Sequence, residues 1–228
     1  MAKQVFALTA EATLKAELKS GKLRQVYYLY GEETFLTRMY ADRIVAAAGG
    51  EQSDGLNFMK LRGAPDPHSL SDFAESLPFF AEHKCVKITD LDAEDMDNDS
   101  HKELLKLIDE LPETTVMVIC QTGLEIDDVK PKAKTKKLIQ TVEKRGMVCR
   151  FQYMTAEMTA AMAAKKAQKM GCTLSPENAT HLSGLCGRSL TLIQNEVEKL
   201  CSCQQSGEIT RELIDALTPK LLDASAYD

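Results

Sequence analysis

The stretch that decides the fold is Val26-Tyr27-Tyr28-Leu29-Tyr30-Gly31-Glu32-Glu33-Thr34-Phe35-Leu36-Thr37-Arg38. Five apolar, β-prone residues end at a glycine, and an apolar spacing near the helical period then runs through Phe35, Met39 and Ile44. A strand turning directly into a helix is the opening of a parallel α/β unit. The same loop is where such a unit would hold a nucleotide. A phosphate cradle after the first strand needs G-x-x-x-x-G-K-[ST], so that glycine amides surround the phosphates and the lysine neutralises them. The loop Gly31-Glu32-Glu33-Thr34-Phe35-Leu36-Thr37-Arg38 has neither the second glycine nor the lysine, and its Glu32 and Glu33 set two carboxylates where phosphate oxygens would lie. Those carboxylates suit the positive end of a helix themselves. The expectation is a helix start with acidic first-turn residues and no bound nucleotide.

Four further apolar runs follow: Leu56 to Leu61, Cys85 to Thr89, Val116 to Cys120 and Met147 to Phe151. Helical spacings lie between them, among them Leu104-Leu107-Ile108-Leu111 and Leu138-Val142. Strands alternating with helices require crossover connections, hence a parallel sheet covered on both faces. Gly49-Gly50 stops the helix that begins near Phe35, Pro65 and Pro67 hold a loop open before a helix from His68 to Ser76, and Gly146 closes the last helix before the fifth run. Residues 1–151 are therefore read as one five-stranded α/β domain.

After Phe151 the pattern changes. From Thr155 onward there is no β-rich run, and helical patterns cover Met158 to Met170, Pro176 to Leu185 and Leu190 to Cys201. Ser175-Pro176 is an N-cap followed by proline at the first helical position. Gly184 and Gly187 punctuate the second and third patterns, and Thr210 caps a fourth that runs to Leu217. Residues 152–217 are read as a small helical bundle, and 218–228 as the start of a linker.

Composition narrows the function. Asp and Glu (34) outnumber Lys and Arg (28), a net charge of −6, whereas proteins that hold nucleic acid by its backbone usually carry a positive surplus. Protein partners are the better expectation and DNA contact is secondary, even at Lys130, Lys132, Lys134, Lys136 and Lys137, which are read as a solvated loop and helix start. No apolar run reaches the ~20 residues of a membrane helix, the N-terminus lacks a secretory pattern, and the seven cysteines have no framework spacing. Reduced thiols in a cytoplasm are expected.

Catalytic candidates are thin. His68, His83, His101 and His181 stand outside any motif, and Ser69, Ser71 and Ser76 lack a nucleophile-elbow context. Cys172, Cys186, Cys201 and Cys203 lack the C-x-x-C pairs of structural zinc sites, so no metal is expected, and no cofactor. Asp90-x-Asp92, at the end of the third run, occupies the place of magnesium-directing acids in nucleoside triphosphatases. Without a phosphate loop these are read as loop carboxylates. One feature stands above this background. In Leu77-Pro78-Phe79-Phe80 the proline forces its neighbour out of the helical region and puts two aromatics on a turn. Either at least one of them is exposed as an interaction site, or both pack beneath the sheet. Residue chemistry leaves both open.

Together, Val26 to Leu36, Ser76-Leu77-Pro78-Phe79-Phe80-Ala81-Glu82 with Asp90-Leu91 beyond it, and the helix carrying Gln194-Asn195-Glu196-x-Glu198-Lys199-Leu200 resemble the delta subunit of the bacterial DNA polymerase III clamp loader. The resemblance implies a five-stranded parallel AAA+/RecA-like domain, a small helical domain, and a third, collar domain beginning about where this chain ends. It implies a non-catalytic subunit that binds the ring-shaped sliding clamp (the beta subunit) and wedges it open for loading onto primed DNA. Leu77, Phe79 and Phe80 match the clamp-binding element. Gamma/tau and delta-prime subunits would be partners through the collar. No ATPase activity is expected of this chain, although the family belongs to the DNA polymerase III holoenzyme, a nucleotidyltransferase. Two alternatives stand beside it: an active ATPase of the same fold, which the degenerate loop disfavours, and a binding module for another partner.

Overall fold

The computed structural model describes residues 2–50, 55–127, 129–187 and 189–219. It divides into two compact units, Met1–Gln152 and Tyr153–Asp228.

In the first unit a helix α1 (Ala2–Ser20) leads to strand β1 (Val26–Tyr30), which feeds α2 (Thr34–Ala47). Then come β2 (Phe58–Arg62), α3 (Pro67–Glu75), β3 (Lys84–Thr89), α4 (Asn98–Asp109), β4 (Thr115–Cys120), α5 (Ala133–Arg145) and β5 (Met147–Arg150). The strands form one sheet in the order β2-β3-β4-β1-β5, with every pairing parallel. The five apolar runs are these strands, shifted by one or two residues at their ends. The central strands β1 and β4 are buried at every position, as a parallel sheet covered on both faces requires. Edge strand β2 alternates, with Met59 and Leu61 against the core and Lys60 and Arg62 exposed.

One face of the sheet presents Tyr28, Val86, Ile88, Met117 and Ile119 to Leu70 of α3, Leu104 and Ile108 of α4, and Leu138 and Val142 of α5. On the other, α1 packs on β5 and α2 on β1 and β4. There Tyr40 stacks on Phe151 with ring centroids 5.2 Å apart. Gly146 marks a close approach, since a β-carbon there would lie 1.8 Å from the Val26 carbonyl oxygen.

One detail of this unit differs from the sequence reading. Pro67 does not hold a loop open but is the first residue of α3, behind Asp66, whose carboxylate accepts from the Ser69 amide at 2.9 Å. Proline tolerates that position because its missing N–H would have no helical partner there.

The second unit contains α6 (Ala156–Lys169), α7 (Pro176–Leu185), α8 (Leu190–Gln204) and α9 (Arg211–Leu217) around Ala163, Leu182, Ile193, Val197, Leu200 and Ile214. Ser175 and Thr210 cap α7 and α9 as their positions suggest. Gly184 is not a break: α7 runs through it to Leu185. A parallel pair, β6 (Cys172–Thr173) with β7 (Gly207–Glu208), was not foreseen, because two-residue strands carry no readable period. Of the expected linker 218–228, residues from 220 onward lie outside the described residues.

Candidate functional site

Two places that the sequence singles out lie at opposite ends of the parallel sheet. The loop Gly31 to Thr34 follows β1, at the carboxyl edge, whereas Leu77 to Phe80 precede β3, at the amino edge.

At the carboxyl edge the chain occupies its own loop amides. The Glu33 amide donates to the Phe151 carbonyl at 3.1 Å and the Thr34 amide to the Glu32 carbonyl at 3.1 Å. The Phe35 amide donates to Glu33 Oε1 at 3.3 Å, so Glu33 is the N-cap of α2 and its own carboxylate takes the position an anion would take. Gly31 (φ 131°) lies against Phe151, where a β-carbon would sit 2.2 Å from that residue's carbonyl oxygen. The glycine thus serves close packing of the β5 end onto the loop rather than approach of a ligand. Glu32 pairs with Arg150 at 2.5 Å. Glu33 is buried, and its Oε2 has no hydrogen-bond partner; burial pushes its carboxyl above the usual range, against the Phe35 amide bond that lowers it.

Beside this loop a cavity of about 640 Å³ opens at the ends of β2, β3 and β4. Its four cationic side chains are Arg38, Lys60, Arg62 and Lys87, but Arg62 pairs with Asp90 at 3.1 Å and Lys87 with Asp42. Asp90 is a brace. At φ 55° it accepts from the Thr122 and Gly123 amides, both at 2.7 Å, and so ties the ends of β3 and β4 together. Burial raises its carboxyl, but the two amides, the Thr122 hydroxyl and Arg62 outweigh that and hold it below the ordinary aspartate value. Among the described residues no three His, Cys, Asp or Glu side chains come together to hold a metal. The cysteines are unpaired thiols, six of them buried. Burial pushes Cys85 and Cys149 up to about 12, which leaves them unreactive.

At the amino edge the two phenylalanines do not both pack beneath the sheet. Leu77 is 82% exposed, Phe79 58% and Phe80 95%. The two rings pack edge to face with centroids 4.6 Å apart. The turn is anchored below: Lys84, buried at the start of β3, bonds Ser76 Oγ and lies 4.2 Å from the Phe73 ring centroid. Asn57, just before β2, donates from Nδ2 to the Phe79 carbonyl and accepts the Phe79 amide on Oδ1, both at 2.7 Å. Sequence reasoning missed Asn57, since a single polar residue before an edge strand carries no pattern. The result is a small, exposed apolar tip on a fixed mount.

A parallel five-stranded unit followed in the chain by a helical unit makes an AAA+-like fold, here with a first-strand loop bonded to the chain's own carbonyls and carboxylate and an exposed aromatic turn. The fold is that of the Thermotoga maritima RuvB Holliday junction branch migration motor, which superposes with a TM-score of 0.58 at 11% identity over 91% of this chain and 65% of that one. It is also that of the Bacillus subtilis DNA clamp loader delta protein, with a TM-score of 0.64 at 24% identity over 91% of this chain and 62% of that one. Residues 27–150 match the family described as DNA polymerase III, delta subunit, and the chain belongs to that family. The Bacillus subtilis DNA polymerase III subunit delta is 24% identical over 220 residues, which are 92% of this chain and 61% of that relative's length. Among the described residues no helix is long and apolar enough to cross a membrane.

Proposed function

We propose that this chain is a non-catalytic clamp-loader subunit that binds the sliding clamp through Leu77, Phe79 and Phe80 and favours the opened ring. The observation that carries the reading is the tip itself: two phenylalanines and a leucine held out into solvent at the end of the sheet remote from the filled phosphate loop. Solvent-exposed aromatic clusters of this kind belong to interfaces, because leaving them in water forfeits about 1.5–3 kcal/mol per large apolar side chain. A pocket on the clamp supplies the burial. If the tip fits the opened ring better than the closed one, binding shifts the ring toward opening by that difference in affinity alone. Nucleotide has no part in this chain's own step, since the amides that would hold phosphate are bonded within the protein. Family membership supports further contacts with the gamma/tau and delta-prime subunits in a cytoplasmic loader, with DNA contact secondary given the net charge of −6.

Calorimetric titration separates this reading from its rivals. The sliding clamp of the same organism is expected to bind without nucleotide, and magnesium–ATP is expected to give no heat. Binding of ATP at micromolar concentration points instead to an ATPase of this fold, and silence toward the clamp to a module for another partner.

A further inference from the structure

The apolar tip depends on a residue outside it. Asn57 is 6% exposed and sits one residue ahead of β2, where its own carbonyl accepts from the Cys85 amide at 2.7 Å. Its side chain reaches across to the turn and satisfies both backbone groups of Phe79, taking the amide on Oδ1 and giving Nδ2 to the carbonyl. One side chain from a separate element thus does for Phe79 what a neighbouring strand would do. Only a side-chain amide offers a donor and an acceptor side by side. Aspartate offers acceptors alone and alanine neither.

The next residue shows why the turn needs holding. Phe80 adopts φ 50°, a left-handed conformation that a bulky residue leaves unless its surroundings hold it there. Yet its side chain is 95% exposed, so its own burial contributes little to fixing it. The restraint comes from Asn57 on Phe79 and, at the other end of the turn, from Lys84 on Ser76. A turn of this kind left free would be ordered only when a partner arrives, and the ordering entropy would then be subtracted from the affinity.

We infer that Asn57 is a positioning residue for partner binding: it pre-organises Phe79 and Phe80 in the conformation that the clamp accepts. The inference rests on the proposed function, and the experiment keeps the two apart. Amide hydrogen exchange and clamp affinity are measured on the full chain and on Asn57→Ala, Asn57→Asp and the double variant Phe79→Ala/Phe80→Ala, with thermal unfolding as a check on folding. In Asn57→Ala the Phe79 amide is expected to lose its protection while the amides of Lys84 to Thr89 keep theirs. Clamp binding should weaken by about five- to thirtyfold, the factor that corresponds to ordering one residue's backbone. Asn57→Asp keeps an acceptor for the Phe79 amide, so it should retain that protection and bind with intermediate affinity; it also decides the matter if Asn57→Ala does not fold. A purely structural role for Asn57 lowers the melting temperature without changing the affinity of the folded protein. A folded Asn57→Ala that binds the clamp as tightly as the parent, while the double phenylalanine variant does not, overturns this inference alone. If the double variant also binds normally, the function reading falls and this inference with it.

Discussion

Replacing Phe79 and Phe80 together by alanine separates an interaction surface from a core more sharply than any other change. Burying a phenylalanine fully is worth about 1.5–3 kcal/mol. Phe80, 95% exposed, has nearly all of that left to give to a partner, and Phe79, 58% exposed, a little over half. The pair therefore offers roughly 2.3–4.6 kcal/mol, or about fiftyfold to two-thousandfold in the dissociation constant. Stability should respond far less. The edge-to-face contact is worth about 0.5–1.5 kcal/mol, and little cavity opens because the rings face water. Two buried phenylalanines would instead cost about 3–5 kcal/mol each. Surface plasmon resonance against immobilised clamp gives the affinity. Far-ultraviolet circular dichroism gives the melting curve, since the chain has no tryptophan to report by fluorescence. A folded double variant with unchanged clamp affinity would refute the site, and a stability loss of several kcal/mol would refute the exposure on which the reasoning rests.

Three other outcomes follow, two from the opposite edge and a third that sets Gly31 there against Gly184 of the second unit. Glu33→Gln keeps the cap on the Phe35 amide and removes a buried charge whose Oε2 has no partner. Burial raises the Glu33 carboxyl, so its contribution is favourable in acid and is lost as pH rises through the raised value; the variant should gain about 1–3 kcal/mol at pH 7, fading toward about pH 4, by denaturant melts across that range. Asp90 is held low, so its contribution is present above the ordinary aspartate value and is lost as pH falls through the lowered one. Asp90→Ala should cost about 1–3 kcal/mol at pH 7, and less as the parent's own carboxylate is protonated, while Asp90→Asn, which tolerates positive φ, should cost less. Gly31→Ala, whose β-carbon would meet the Phe151 backbone at 2.2 Å, should destabilise the first unit severely, whereas an alanine at the uncrowded Gly184 should be neutral or slightly stabilising in α7.

The strands were legible because a buried parallel sheet writes itself as unbroken apolar runs, as Val26 to Tyr30 and Val116 to Cys120 do. The departure from a phosphate-binding pattern is a matter of sequence alone, since Leu36 and Thr37 stand where that pattern needs its second glycine and its lysine. What the residues left undecided was geometric. Whether Phe79 and Phe80 point out or in depends on the backbone of a short turn, and Phe80 takes a φ that no propensity would assign to it. Asn57 and Asp90 were underestimated for one reason: each acts on backbone amides far along the chain, and such bonds leave no spacing in the sequence. The short β6–β7 pair escaped because four residues, one of them glycine, carry neither period nor propensity.

The central claim is that this chain uses its aromatic tip to open a ring without nucleotide. The most direct measurement is the release of a clamp already loaded on circular DNA, followed in time after the chain is added in the absence of ATP. The account predicts faster release that saturates with concentration, and no acceleration by the Phe79→Ala/Phe80→Ala variant. A release rate unchanged at concentrations that saturate the clamp, or one that rises only when ATP is supplied, would contradict it.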